Sequence, residues 1–252
     1  MIKRPCQYKS PFHNGPLEEH EVRYLDLLVD HHKAAQKFIR DVVRHNDVNS
    51  IIEIGSYLGN VMYNLSDTVD HITLTEAEGE FDRSDYLKWC DEHGFRFREN
   101  RIDASGIQII DDDQCYDCFV ALETLEHLPL NPKLSIDSMA ERLNVSGSII
   151  ISVPNRNSLA KIRKFFKGQH PYINFHDFYS SDPVLANFGH HWLEFTIEDL
   201  DMCFENAGFR RTHLTKCNIN YTSKVNTLIK NIISKLTGYR IYDQIYASYQ
   251  RI

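Results

Sequence analysis

Residues 51–60 read IIEIGSYLGN: three isoleucines around one acid, then a break into two glycines. The apolar run has the length and composition of a buried strand that ends near Glu53. Gly55 permits a tight turn with close backbone approach. Gly59 opens the next helix, whose N-terminal amides can hold an anionic group. A dinucleotide-binding turn would read G-x-G-x-x-G. Tyr57 stands where the middle glycine would be, so this turn is not a pyrophosphate cradle.

Outward from this turn, short apolar runs alternate with helical patterns. Strands are expected at 51–54, 71–76, 95–98, 117–122, 148–153, 211–214 and 244–249. Helices are expected at 59–67, 81–93, 132–143, 197–207 and 226–236. A helical segment over 15–45 precedes them, with Val22, Leu25, Leu28, Val29, Ala35, Phe38, Ile39, Val42 and Val43 at steps of three and four. The alternation predicts an α/β fold, a Rossmann-like seven-stranded, mostly parallel sheet with helices on both faces. One segment breaks the rhythm. Residues 155–195, after the fifth strand, lack a steady period but carry Phe165, Phe166, Tyr172, Phe178, Tyr179, Phe188 and Trp192. An insertion at a strand's C-terminal end is where α/β proteins build lids; a surface excursion with its own small core is the alternative.

With 252 residues the chain suits a single domain spanning 1–252. A hydrophobic content of 42% and a charged content of 25% are those of an ordinary globular protein. No apolar run reaches the ~20 residues that cross a bilayer, and the first residues lack the apolar core of a secretory signal. Six cysteines without a framework suit reduced thiols and a cytoplasmic location. The C-x-x-C of Cys115 and Cys118 has no second pair, so it is not read as a zinc site. The net charge of −7 argues against nucleic acid as partner, although KIRKFFK at 161–167 gathers positive charge. The stripe Leu228, Ile229, Ile232, Ile233 and Leu236 near the C-terminus can touch a membrane, but packing on its own domain is the preferred reading. His31 and His32 are read as solvated or core residues. Oligomeric state is not legible.

Ligands of open α/β sheets lie beyond the carboxyl ends of the strands. Glu53 and Glu76 end the first two strands, and Asp103 follows the third. A carboxylate at Glu76 can accept both hydroxyls of a ribose, and one at Asp103 can receive an exocyclic adenine amine. Singly, such acids are usually solvated. Three in succession suit an adenosine with a short zwitterionic tail.

At this point the chain resembles the class I S-adenosylmethionine-dependent methyltransferases. The matching pieces are EIGSYLG, TLTEAE, RIDAS, YDCFVALETLEHLP, LNVSGSIIISVPN and HWLEFTIEDLDMCFENAGF, in family order over roughly residues 35–215. The resemblance implies that Glu53, Gly55, Ser56, Tyr57 and Gly59 line the methionine end of S-adenosylmethionine. It further implies that Glu76 binds the ribose, that Asp103 and Ala104 flank the adenine, and that Leu122 and Glu123 pass beneath the sulfonium. Tyr57 departs from the family's glycine-rich pattern.

ALETLEHLP adds Glu123, Glu126 and His127. If the chain turns helical here, these positions share one face and offer a divalent cation two carboxylates and an imidazole. His190 and His191, in GHHWLEFT, can supply a fourth ligand. The pattern is similar to the Glu-x-x-Glu-His plus distant His of two methyltransferase groups, one making quinones and one methylating the 3′-terminal ribose of small RNAs; His191 is the better match. In the alternative without metal, the histidine closes the cofactor pocket or acts as a base.

The expected activity is therefore O-methylation of a small or sugar-like acceptor, which can be lipid- or phosphate-linked. His127 is the first choice of base and His191 the second; with a metal at Glu123, Glu126, His127 and His191, both become ligands. The rivals are metal-dependent 2′-O-methylation of an RNA 3′ end and a catalytically silent cofactor-binding scaffold.

Overall fold

The computed structural model describes residues 19–77, 84–170, 191–218, 224–237 and 241–252. Eight strands form one sheet: β1 (Ser50–Ile54), β2 (His71–Ala77), β3 (Arg96–Asp103), β4 (Gly106–Ile109), β5 (Tyr116–Leu122), β6 (Leu143–Pro154), β7 (Phe209–Cys217) and β8 (Gln244–Arg251). The seven described α-helices are α1 (Glu19–Asn46), α2 (Asn60–Tyr63), α3 (Ser84–Glu92), α4 (Pro132–Glu141), α5 (Leu159–Phe166), α6 (Ile197–Glu205) and α7 (Lys224–Leu236).

The sheet order is β4-β3-β2-β1-β5-β6-β8-β7. β3, β2, β1, β5 and β6 run parallel, whereas β4, β8 and the β7–β8 pair are joined antiparallel. The sheet is thus mixed and eight-stranded, where a seven-stranded, mostly parallel one was expected. The unforeseen strand is β4. Its four residues fold back on β3 in a tight hairpin, with Asp103 opposite Gly106, and so short a segment has no period of its own to read.

β1 is buried along its whole length, as expected of a parallel strand covered on both faces. Successive side chains go to opposite cores. Ile52 and Ile54 join Phe119, Ala121, Ile149 and Ile151 under Ile136 and Met139 of α4 and Leu200 and Phe204 of α6. Ile51 joins Cys118, Val120 and Ile150 under Phe38, Ile39 and Val42 of α1 and Trp89 of α3. His31 of α1 is a core residue, with its Nδ1 2.8 Å from the Tyr246 hydroxyl on β8. Cys118 is buried while Cys115 is exposed, so the C-x-x-C thiols lie in different surroundings.

Two helices differ from expectation. The one expected over 59–67 is a single turn, Asn60–Tyr63. The insertion over 155–195 contains α5, which no periodicity announced. Tyr172, Phe178, Tyr179, Phe188 and His190 lie outside the described residues, as do 1–18 of the N-terminal segment. Among the described residues, no helix is long and apolar enough to cross a membrane.

Candidate active site

Strand order runs outward from β1 to β3 on one side and from β5 to β6 on the other, so the chain switches direction between β1 and β5. A crevice forms beyond the carboxyl ends of strands at such a point. Thr124 closes its base: its hydroxyl donates to the carbonyls of Ile54 at 3.1 Å and Leu122 at 3.0 Å. A Cβ on Gly55 would meet that hydroxyl oxygen at 3.1 Å, so the glycine is what lets the two strand ends come together.

The turn after β1 alternates into left-handed backbone, with φ of +69° at Gly55, +51° at Tyr57 and +66° at Gly59. Tyr57 therefore keeps the shape a glycine would give, at about 1–2 kcal/mol of strain for a residue with a Cβ. Its conformation is held from outside the turn. The Tyr57 amide donates to the Glu76 carboxylate on β2, and the Ser56 amide donates to the Thr75 carbonyl at 3.0 Å. Below, Asn100 donates to the Thr75 hydroxyl at 2.9 Å, which donates to the Glu53 carbonyl at 3.0 Å. A Cβ on Gly59 would lie 2.9 Å from Leu74 Cδ1, 3.2 Å from the Tyr86 hydroxyl and 3.3 Å from Trp89 Cζ3.

Glu53 is buried, and among the described residues its Oε2 has no hydrogen-bond partner. Burial first, and the charge of Glu76 second, push its carboxyl well above the ordinary range. Two acids crowded together with an unpartnered oxygen suit a polyhydroxyl or cationic ligand. Asp103 stands on the other side, at the β3–β4 hairpin. Its Oδ1 accepts from the Ser105 amide at 2.8 Å and the Ser105 hydroxyl at 2.5 Å, bonds that hold its carboxyl below the usual value. Ala104 lies in the same hairpin, and Leu122 is half-buried at the end of β5.

Beyond β5 the chain does not enter an α-helix. Glu123 takes a left-handed φ of +50°, and Leu125–His127 form one 3-10 turn. The shared helical face expected for Glu123, Glu126 and His127 is therefore absent. Glu123 turns toward β6 and β8, accepting from the Ser152 hydroxyl at 2.9 Å and from the Gln244 side-chain amide. Glu126, His127 and His191 do meet: one ligand atom from each lies within 4.8 Å of the others. The two imidazole rings stand edge to face with centroids 4.9 Å apart. Backbone pairing carries His191 there across the insertion. The Trp192 amide donates to the Glu126 carbonyl at 2.7 Å, and Phe195 bridges to Asn155 beyond β6.

Glu126 has no exposed surface, and among the described residues neither of its oxygens has a hydrogen-bond partner. Burial, followed by the charge of Glu123, pushes its carboxyl well above the ordinary range. A buried carboxylate without partners costs several kcal/mol unless it is protonated or binds a cation. One carboxylate and two imidazoles are a donor set that suits a divalent first-row cation. The residues present thus fit such an ion.

Glu194 was passed over in the sequence, although it stands in the HWLEFT string that singles out His191. Its carboxylate is fully buried, paired with Lys161 of α5, and 2.6 Å from His191 Nδ1. A carboxylate on Nδ1 keeps the proton there and leaves Nε2 as the basic nitrogen.

Comparisons with known proteins bear on the family and the fold. A family model described as a methyltransferase domain matches residues 29–214. The chain belongs to this family. Among solved structures, an S-adenosylmethionine-dependent methyltransferase from Clostridium acetobutylicum is similar over 92% of this chain and 98% of its own, with a TM-score of 0.60 at 11% identity. Magnesium protoporphyrin IX methyltransferase from Synechocystis, solved with bound SAH, is similar over 94% of this chain and 90% of its own, with a TM-score of 0.56 at 11% identity. A methyltransferase from Archaeoglobus fulgidus is similar over 93% of this chain and 100% of its own, with a TM-score of 0.52 at 17% identity. No curated protein matches significantly in sequence. The fold of this enzyme is that of the class I S-adenosylmethionine-dependent methyltransferases.

Proposed function

We propose that this methyltransferase, whose methyl donor is S-adenosylmethionine, methylates a hydroxyl oxygen of a small or sugar-like acceptor with help from a divalent cation. The observation that carries the reading is the orphaned, fully buried Glu126 carboxylate beside His127 and His191. In this reading Glu53 and the turn from Gly55 to Gly59 hold the amino-acid end of the donor. Glu76 takes the ribose, Asp103 and Ala104 the adenine, and Leu122 and Glu123 the floor beneath the sulfonium. The donor supplies an electrophilic methyl group. What the protein must do is align acceptor oxygen with methyl carbon and sulfur and keep water out.

Glu126, His127 and His191 would hold the cation, which lowers the pKa of a bound hydroxyl. Glu123 stands behind them, anchored to Ser152 and Gln244. Where no cation is held, the acceptor's proton passes to His127, an imidazole suited to that work near neutral pH. Glu194 fixes the tautomer of His191 in either case.

The test is transfer of labelled methyl groups to pooled hydroxyl acceptors, with Mn²⁺ or with EDTA, alongside calorimetric titration with S-adenosylhomocysteine. The expected product carries a base-stable methyl ether, and chelation or Glu126→Ala suppresses its formation while S-adenosylhomocysteine binding persists. Transfer at full rate in EDTA by Glu126→Ala would remove the cation. Label found only in base-labile esters would remove the ether.

A further inference from the structure

We infer that α5 and α7 form a surface that docks this enzyme on an anionic lipid bilayer. The inference goes beyond the methyl-transfer reading and begins from the distribution of charge. Residues 142–176 contain six lysines and arginines and no acid, and residues 206–242 contain seven and no acid. All 35 acids lie elsewhere, against 15 cations. A chain of net charge −7 thus keeps 13 of its 28 lysines and arginines in two stretches free of acids.

The fold brings the end of β6 and the end of β7, with the helices that follow them, to one edge of the sheet. Pro154 at the end of β6 and Cys217 at the end of β7 each lie opposite Gln244 at the start of β8. α5 follows β6, and α7 lies between β7 and β8, so both helices stand at the carboxyl edge of the parallel strands, where the site is.

Both helices also present apolar side chains to solvent. No residue of α5 is buried; Phe165 is 69% and Phe166 81% exposed, with Arg163, Lys164 and Lys167 exposed around them. α7 mixes polar contacts with exposed apolar side chains. Among the described side chains, Lys230 pairs with Asp243 at 2.6 Å, the buried Ser234 donates to the Ile241 carbonyl, and Ile233 is half-buried. Ile232 and Leu236 are 50% and 82% exposed, beside the exposed Lys235. The packing expected for this stripe is therefore not found at these two positions. Aromatic and aliphatic side chains ringed by lysine and arginine match a bilayer interface, where apolar groups enter the acyl boundary and cations meet anionic headgroups. A nucleic acid would engage the cations but leave Ile232 and Leu236 in water.

The test uses the full chain and sedimentation with vesicles of phosphatidylcholine alone or containing about 30% phosphatidylglycerol. Binding is expected only to the anionic vesicles, and salt weakens it. Phe165→Ser/Phe166→Ser and Lys164→Glu/Lys167→Glu each lower partitioning roughly tenfold or more. S-adenosylhomocysteine titration in the same samples stays at the parental value, so that failure of docking and failure of the methyltransferase reading are separable. Three results overturn the inference. These are no binding to either vesicle, binding to a single-stranded RNA oligonucleotide without vesicle binding, and a Phe165- and Phe166-dependent dimer in light scattering without vesicle binding.

Discussion

Replacing His31 tests how α1 is seated on the sheet. His31 is 3% exposed and in contact with Tyr246 of β8, whose hydroxyl lies 2.8 Å from Nδ1 and donates to the His31 carbonyl at 3.3 Å. Burial, and then the nearby His32, lower its pKa from 6.5 to about 3. Between those values the unfolded chain binds a proton that the folded chain refuses. The stability contributed by the neutral ring is complete above the unfolded pKa and is lost as pH falls below 6.5 toward about 3. The slope approaches about 1.4 kcal/mol per pH unit, so a change from about pH 7.5 to about pH 5 removes about 2 kcal/mol. His32, lowered by burial to about 4, acts with the same sign. Glu53 and Glu126 act oppositely, because their raised pKa values favour the folded state as pH falls toward 4.5. A difference between two proteins cancels these terms. In urea unfolding at both pH values, parental stability should fall by about 2 kcal/mol more than that of His31→Gln, which keeps a polar side chain beside Tyr246. Equal losses would mean that His31 titrates normally and that α1 is not packed on β8 as described.

Gly59→Ala places a methyl group 2.9 Å from Leu74 Cδ1 at a left-handed φ. It should destabilise the protein by about 1–3 kcal/mol and weaken S-adenosylhomocysteine roughly tenfold in calorimetry; parental values would disprove the cradle. Glu126→Met removes a buried carboxylate with two unpartnered oxygens. In EDTA it should gain about 1–4 kcal/mol in thermal unfolding while losing Mn²⁺ binding, and a loss of stability would show that the carboxylate is already satisfied.

Much of the crevice around β1 can be read locally. A strand covered on both faces must be apolar throughout, so β1 declares itself in SIIEI. A turn that needs left-handed backbone asks for glycine, so Gly55 and Gly59 mark it even with Tyr57 between them. Tyr57 itself shows the limit: its φ is imposed by Glu76 holding its amide, a contact 19 residues away in the chain. β4 escaped because four residues pair only by folding back on β3.

The meeting of Glu126, His127 and His191 depended on the tertiary structure. Glu123, Glu126 and His127 suggest one helical face, but a left-handed residue and a 3-10 turn send Glu123 to Ser152 and Gln244 instead. Glu194 is an ordinary acid in HWLEFT until backbone pairing buries it between Lys161 and His191. For α7, periodicity showed that an apolar stripe exists, not which way it points; the contacts of Lys230 and Ser234 decide that. Sequence alone determined the strand–turn–helix grammar and the carboxylates at the strand ends, because alternation and turn geometry act over a few neighbouring residues. Which acids lose their water, and which distant imidazole joins them, was decided only by folding, because burial and pairing belong to surfaces that chain order does not bring together.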